Sequence, residues 1–310
     1  MSTLFPKRIE IDNASIAQLE LLFTVATNDL QNYLFTLNGH VISKGQIMLL
    51  RQQSHQRIQK LGNDVGEWIT KTVPYSYAQG QHDAARQQSH LGDKVAAGII
   101  LGAIAHRAFA SPPVAGGEVI TSAEPKIFDL HAQSIDTIMK DMSASFGNSL
   151  TSLSRSIDGV ISRVQSLGIR RTIAEAAKQG SSVDAISKSI TDLLDNANIY
   201  GLVDKSGRQW APDVYARMLT RTKLVEARNA GMMNSILSIG GDLVQVSAHG
   251  AIDQCGPWEG KILSISGSNK YYESVQDAYS GGLFHPNCEH SLNTVNEALL
   301  PNGRPKAMTV

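Results

Sequence analysis

Between Ile127 and Leu167, apolar side chains return at three- and four-residue steps. They are Ile127, Leu130, Ile135, Ile138, Met139 and Met142, then Leu150, Leu153, Ile157, Val160, Ile161, Val164 and Leu167. That spacing lays one apolar stripe along a helix and predicts helix as far as Gly168. The polar positions are largely serine: Ser143, Ser145, Ser149, Ser152, Ser154, Ser156, Ser162 and Ser166. Serine is a middling helix former, so such a helix needs packed neighbours to persist.

The same spacing recurs near the start, through Ile16, Leu19, Leu22, Phe23, Ala26, Leu30, Tyr33, Leu34 and Leu37, with Asp12 or Ser15 placed to cap it. Gly39 and Gly45 interrupt the pattern. A second helix is expected from about Ser43 through Leu61, carrying Lys44, Arg51, Arg57 and Lys60 with no acidic residue between them. Trp68, Ile69 and Val73 lead to Pro74, where a break is expected, followed by a shorter polar helix over Gln81–Leu91. Val95–Ala105 is the most apolar stretch, but its 11 residues fall well short of the roughly 20 that span a bilayer. It reads as a buried helix or an interfacial segment, and no stable membrane span is expected.

Ser111–Pro125 holds a Pro-Pro pair, a Gly-Gly pair and a third proline, the punctuation of a linker. The organisation predicted is a helical N-terminal region (1–110), a linker (111–125), a central helical region (126–198) and a mixed module (199–310). Within the central region, a helix from Arg170 or Thr172 to Lys178 and another capped by Ser182, with Val183, Ile186, Ile190 and Leu193 on one face, follow the long one. After Asn198 the texture changes. Two short runs, Ile199–Val203 and Arg208–Trp210, flank Asp204-Lys-Ser-Gly207 as a hairpin would. Pro212 and Asp213 open a helix from Val214 to about Ile239, closed by Gly240 and Gly241. LVQVSAH and KILSIS alternate like strands, and the remainder reads as loop. The fold class is α+β, predominantly α.

Lys plus Arg equals Asp plus Glu at 28 each, so the global positive charge of a nucleic-acid coat protein is missing. The zero is a cancellation. Lys205–Arg228 holds six basic and two acidic residues, whereas Asp242–Glu297 holds two basic and seven acidic. Two basic faces result, Lys44, Arg51, Arg57 and Lys60 on one helix and Arg217, Arg221, Lys223 and Arg228 on another. Either can lie on the phosphates of double-stranded DNA without reading its sequence, or be a solvated face. Charged residues make up 18%, below the usual quarter, which suits a surface packed against partners.

Both cysteines fall in the last quarter, in the series His249, Cys255-Gly-Pro-Trp258 and His285-Pro-Asn-Cys288-Glu-His290. Two cysteines exclude a disulfide-rich secreted scaffold. The start, MSTLFPKRIEID, has no apolar core of a secretory signal, so a cytosolic origin is expected. Cys255, His285, Cys288 and His290 make a Cys2His2 set of the kind that binds Zn²⁺ tetrahedrally, and Pro286 stiffens the loop presenting three of them. The second position of a Cys-x-x-Cys knuckle holds Trp258 instead. Four other readings stand beside a structural zinc. The thiols are buried and reduced; or they form a disulfide, which closes a loop of about 33 residues and is worth about 3 kcal/mol; or the histidines only satisfy backbone groups in the loop; or Cys288 with His285 and His290 makes a thiolate pair for catalysis, with Asp253 or Glu289 orienting a histidine.

The series Tyr215-Ala-Arg-Met-Leu-Thr-Arg-Thr222, Glu226-Ala-Arg-Asn229, Val244-x-Val-Ser-x-His249, Cys255-x-x-Trp258-x-Gly260-Lys261 and Gly282-Leu-Phe-His285-Pro-Asn-Cys288-x-His290 resembles the C-terminal half of tailed-phage minor capsid proteins. These are the head morphogenesis proteins similar to Mu protein F and to SPP1 protein seven. Pro74-Tyr-x-Tyr77-x-x-Gly80 also resembles an element of that group. The resemblance implies a non-enzymatic, low-copy virion protein made in the bacterial cytoplasm. It would associate with the portal protein at its vertex, take part in head assembly with the major capsid or scaffolding protein, and contact packaged DNA or leave with it. Such modules also occur fused to toxin domains, so the other function class is an effector or thiol enzyme.

Overall fold

The structure, a computed structural model, describes residues 13–35, 44–108, 124–179, 202–203 and 208–295. All but the end of the expected linker, and the helix expected after Ser182, lie outside them. The protein is predominantly α with a small antiparallel sheet, as the sequence predicts. Its helices are α1 (Asn13–Phe35), α2 (Lys44–His90), α3 (Lys94–Ala108), α4 (Glu124–Gln179), α5 (Pro212–Ser238) and α6 (Val275–Ser280). Its strands are β1 (Leu202–Val203), β2 (Gln209–Trp210), β3 (Leu243–Val246), β4 (Ile262–Ser264) and β5 (Leu292–Thr294).

Three expectations about helix ends change. The long stripe is one helix of 56 residues, and it continues past Gly168 to absorb the segment expected as a separate helix up to Lys178. Pro125 falls in its first turn, where a missing N–H costs nothing, so the linker stops short of it. Helix α2 runs unbroken through Pro74. A proline inside a helix costs about 3 kcal/mol in isolation, and burial offsets it here. Val73 and Tyr77 are fully buried, and the Ser76 hydroxyl donates to the Leu224 carbonyl at 2.9 Å.

The described residues form two compact units. One lies within Ala14–Ile69 and Asp141–Arg217. Its core is helical and apolar: Leu19, Phe23 and Leu30 of α1, Leu50 and Leu61 of α2, and Phe146, Leu153 and Ile157 of α4 are buried. Phe23 and Phe146 meet with ring centroids 5.5 Å apart. The hairpin β1–β2 pairs antiparallel as expected, Leu202 opposite Trp210.

The other unit lies within Thr70–Lys140 and Met218–Val310. Here α2 and α5 cross with their backbones in contact. A Cβ added to Gly80 would lie 1.8 Å from the Arg228 carbonyl oxygen, and one added to Gly231 would lie 2.1 Å from that of Tyr77. Next to the crossing, Arg228 meets the buried Asp83 carboxylate at 2.6 Å. The three-stranded sheet has the order β4-β3-β5, with Val244 opposite both Leu263 and Thr294. Gln87 of α2 serves the edge strand β5: its side-chain oxygen accepts from Thr294 N at 2.7 Å and its amide donates to Asn293 at 3.3 Å. Ile100 of α3, Met232 and Ile236 of α5, the sheet, Trp258 and both cysteines share one core. Helix α3 is therefore buried on one side only, with Ala96, Ala97 and Ile100 inside and Val95 and Ile99 exposed. Among the described residues no helix is long and apolar enough to cross a membrane.

Candidate metal centre

Two loops of this second unit bring the cysteine and histidine side chains together. The first follows β3 and ends in a one-turn 3-10 helix, Gly256–Trp258, preceded by Cys255. The Asp253 carboxylate accepts from Cys255 N at 2.9 Å and fixes that turn. Trp258 is driven into the core, and its indole N–H donates to the Gly281 carbonyl at 3.3 Å. The second loop follows α6, whose start is held by a reciprocal capping box between Ser274 and Asp277. Phe284 and Asn287 flank His285-Pro286 with φ of 61° and 66°, the left-handed region that non-glycine residues seldom occupy. The His285 carbonyl accepts from Cys288 N at 2.9 Å and closes the turn.

The sulfurs of Cys255 and Cys288 lie 3.4 Å apart, both buried and both free thiols. Ligand atoms of Cys255, His285 and Cys288 all fall within 4.8 Å of one another. His290 stands in a second trio with His249 and Glu259, and it meets the first through Cys288, whose Sγ is 3.3 Å from His290 Nδ1. Of the four expected ligands, three therefore form one cluster and the fourth touches it from beside. Asp253 does orient a histidine: its carboxylate is 3.0 Å from His285 Nε2, while His285 Nδ1 is 2.8 Å from the Pro286 carbonyl. Glu289 instead faces Arg221 at 3.4 Å.

Glu259 is the residue that sequence reasoning misses. Its carboxylate accepts from the backbone N–H groups of His249, Gly250 and Ala251 at 2.9 to 3.0 Å and lies 3.1 Å from His290 Nε2. The backbone donors at His249 and Ala251, followed by His290 and Gly250, hold its pKa down at about 2. Its only sequence signal is its place directly after Trp258. His249 stacks on His290 with centroids 4.3 Å apart and planes 35° apart.

Burial pushes the Cys255 thiol well above its ordinary pKa, with Cys288 beside it acting in the same direction. Burial also lowers the His290 pKa, against the opposite pull of Glu259. The centre thus sets a protonated Cys255 thiol and a neutral His290 imidazole beside an ionised carboxylate. Two thiols, on proton release, and the imidazoles beside them are the donor types that borderline-soft divalent ions such as zinc take.

The basic residues expected on DNA-facing surfaces lie elsewhere, and every one whose side chain is described has a carboxylate partner. Arg51 meets Asp158 at 3.0 Å, Arg57 meets Asp29 at 2.6 Å and Lys60 meets Asp64 at 2.8 Å. Arg217 pairs with Glu20, Arg221 with Glu289, Lys223 with Glu226 at 2.7 Å and Arg228 with Asp83. The Lys44 side chain lies outside the described residues.

A family model described as phage minor capsid protein 2 matches residues 118–304, which include the whole of this centre. No curated protein and no solved structure matches the chain.

Proposed function

Because the chain belongs to the phage minor capsid protein 2 family, a family of structural proteins of the virion, we propose that it acts in head assembly by packing its exposed apolar helix faces against another head protein, the portal. The observation that carries this reading is the pattern of exposure on α1 and at the start of α2. Leu21 and Val25, one helical turn apart on α1, are 59% and 58% exposed, and Met48 on α2 is 73% exposed. Apolar side chains grouped on helices that already own a buried face mark a contact surface for protein. Charge supports the same partner class: the basic residues expected to face DNA are, where their side chains are described, each matched by a carboxylate of the chain.

The test is incorporation into heads. Leu21→Glu combined with Val25→Glu is expected to lower the amount of the protein recovered with portal in purified heads at least tenfold, while the melting temperature of the isolated chain stays within a few degrees. Undiminished recovery of the double variant would remove this face from the contact. Heads purified without any of the protein would defeat the assembly role itself.

A further inference from the structure

We propose that Cys255, His285, Cys288 and His290 hold one Zn²⁺, with Glu259 as the residue that positions His290 for it.

The distances carry the argument. Two thiolates on a tetrahedral zinc at about 2.3 Å stand about 3.8 Å apart, and a thiolate and an imidazole nitrogen stand about 3.5 Å apart. The two sulfurs here are 3.4 Å apart, and Cys288 Sγ is 3.3 Å from His290 Nδ1. Both separations are within a few tenths of an ångström of what the ion requires; His290 stands outside the 4.8 Å grouping of Cys255, His285 and Cys288, so an ion held there draws His290 in from beside through its contact with Cys288.

The groups behind the ligands agree. His290 Nε2 is 3.1 Å from Glu259 Oε1, an oxygen that already accepts backbone N–H groups, so Nε2 donates to it and Nδ1 presents its lone pair toward the sulfur. His285 also has a carboxylate, Asp253, behind Nε2, but its Nδ1 is 2.8 Å from the Pro286 carbonyl, an acceptor, so coordination through Nδ1 requires that contact to break. Each histidine ligand therefore has a carboxylate at its far nitrogen, the usual support of a metal-bound imidazole.

The second trio, His249, Glu259 and His290, is the supporting layer and not a second site. Glu259 already accepts three backbone N–H groups. The His249 and His290 rings lie 4.3 Å apart at a 35° tilt, and His290, with Nδ1 toward Cys288 and Nε2 on Glu259, has no nitrogen left for a second ion. His249 instead covers the face of His290 and, with Glu259, keeps its plane from turning. An ion at the first cluster ties the 3-10 turn before Trp258 to the loop after α6 and to the entry of β5, in a module whose strands are only three or four residues long. In such a module metal binding is folding free energy.

The experiment uses the full chain prepared under reducing conditions and stripped of metal. Titration with Co²⁺ is expected to saturate at about one ion per chain, with the intense visible bands of a tetrahedral site and a sulfur-to-cobalt charge-transfer band, all abolished by Zn²⁺. Weak octahedral bands, or fewer than about 0.2 zinc per chain in protein grown with zinc, would overturn the site. Tetrahedral bands that survive unchanged in Cys255→Ser or Cys288→Ser would overturn the ligand set, as would bands unchanged in both His285→Ala and His290→Ala. Glu259→Gln leaves every ligand in place. It is expected to keep the band shape and weaken zinc binding about 10- to 100-fold, measured on samples whose circular dichroism matches the parent. Unchanged affinity would remove the positioning role of Glu259 and leave the ion.

Discussion

Trp258 stands where a zinc knuckle would carry its second cysteine, and the structure gives it a different task. The indole fills the core beneath the 3-10 turn and donates to Gly281, joining the two loops that present Cys255 and Cys288. Truncation to alanine removes a large buried ring and leaves a cavity between those loops. Trp258→Ala is expected to lower unfolding stability by about 3–5 kcal/mol, read from the urea midpoint at constant m-value. A loss below about 1 kcal/mol would mean the loops close over the gap. The cysteines and histidines of the centre are legible as a set because three of them fall within six residues. Glu259 is not, because its role comes from three N–H groups that only the folded loop aims at it. The distant carboxylate partners of the basic faces are hidden for the same reason: Asp158 reaches Arg51 from another helix, whereas Asp64 beside Lys60 and Glu226 beside Lys223 are local.

At the scale of elements, the α2–α5 crossing separates two kinds of helical glycine. Gly66 has nothing within 4 Å of its missing Cβ, whereas at Gly80 that carbon would collide with a backbone carbonyl, which no side-chain rotation relieves. Alanine gains about 1 kcal/mol over glycine in a helix interior. Gly66→Ala is therefore expected to raise stability by about 0.5–1 kcal/mol. Gly80→Ala is expected to lower it by about 1–3 kcal/mol or more as the helices are forced apart. Thermal unfolding of the pair checks the opposite signs. A second prediction concerns α6. The Ser274 hydroxyl and backbone N–H hold the Asp277 pKa below its ordinary 3.8, so the capping box contributes stability that is complete above that ordinary value. The contribution is lost as pH falls through the lowered value. Amide exchange in Val275–Ser280 should accelerate, relative to neighbouring segments and after correction for intrinsic rates, only below about pH 4; acceleration already at pH 6 would point to another group. Helix α4 and the β1–β2 hairpin are legible from local spacing and turn residues. The passage of α2 through Pro74 is not, because its compensation comes from Leu224, 148 positions away. Strand β5 escapes notice because three residues leave no alternation to see.

For the whole molecule, equal numbers of basic and acidic residues and the internal pairing of the two basic faces bear on DNA. A chain that neutralises phosphates loses affinity with salt at a logarithmic slope of about −0.9 per phosphate. The isolated protein is expected to bind duplex DNA weakly, with a slope no steeper than about −2 between 50 and 200 mM salt. A slope of about −6 would show instead that its ion pairs open to admit phosphates. Class, predominance of helix and family likeness were all open to sequence reading at this scale. The two packing units were not, because α2, α4 and α5 each supply residues to both, and a division in chain order cannot anticipate that.

The unit holding the metal centre also has a history imposed by synthesis. Residues 70–140 leave the ribosome early, yet Gln87 receives its partner only when Thr294 has been made, and Tyr77 meets Gly231 only after some 150 further positions. At about 5–20 residues per second, the first segment waits roughly 10–30 s with its apolar face uncovered. Each new chain therefore carries that uncovered face through the rest of its own synthesis.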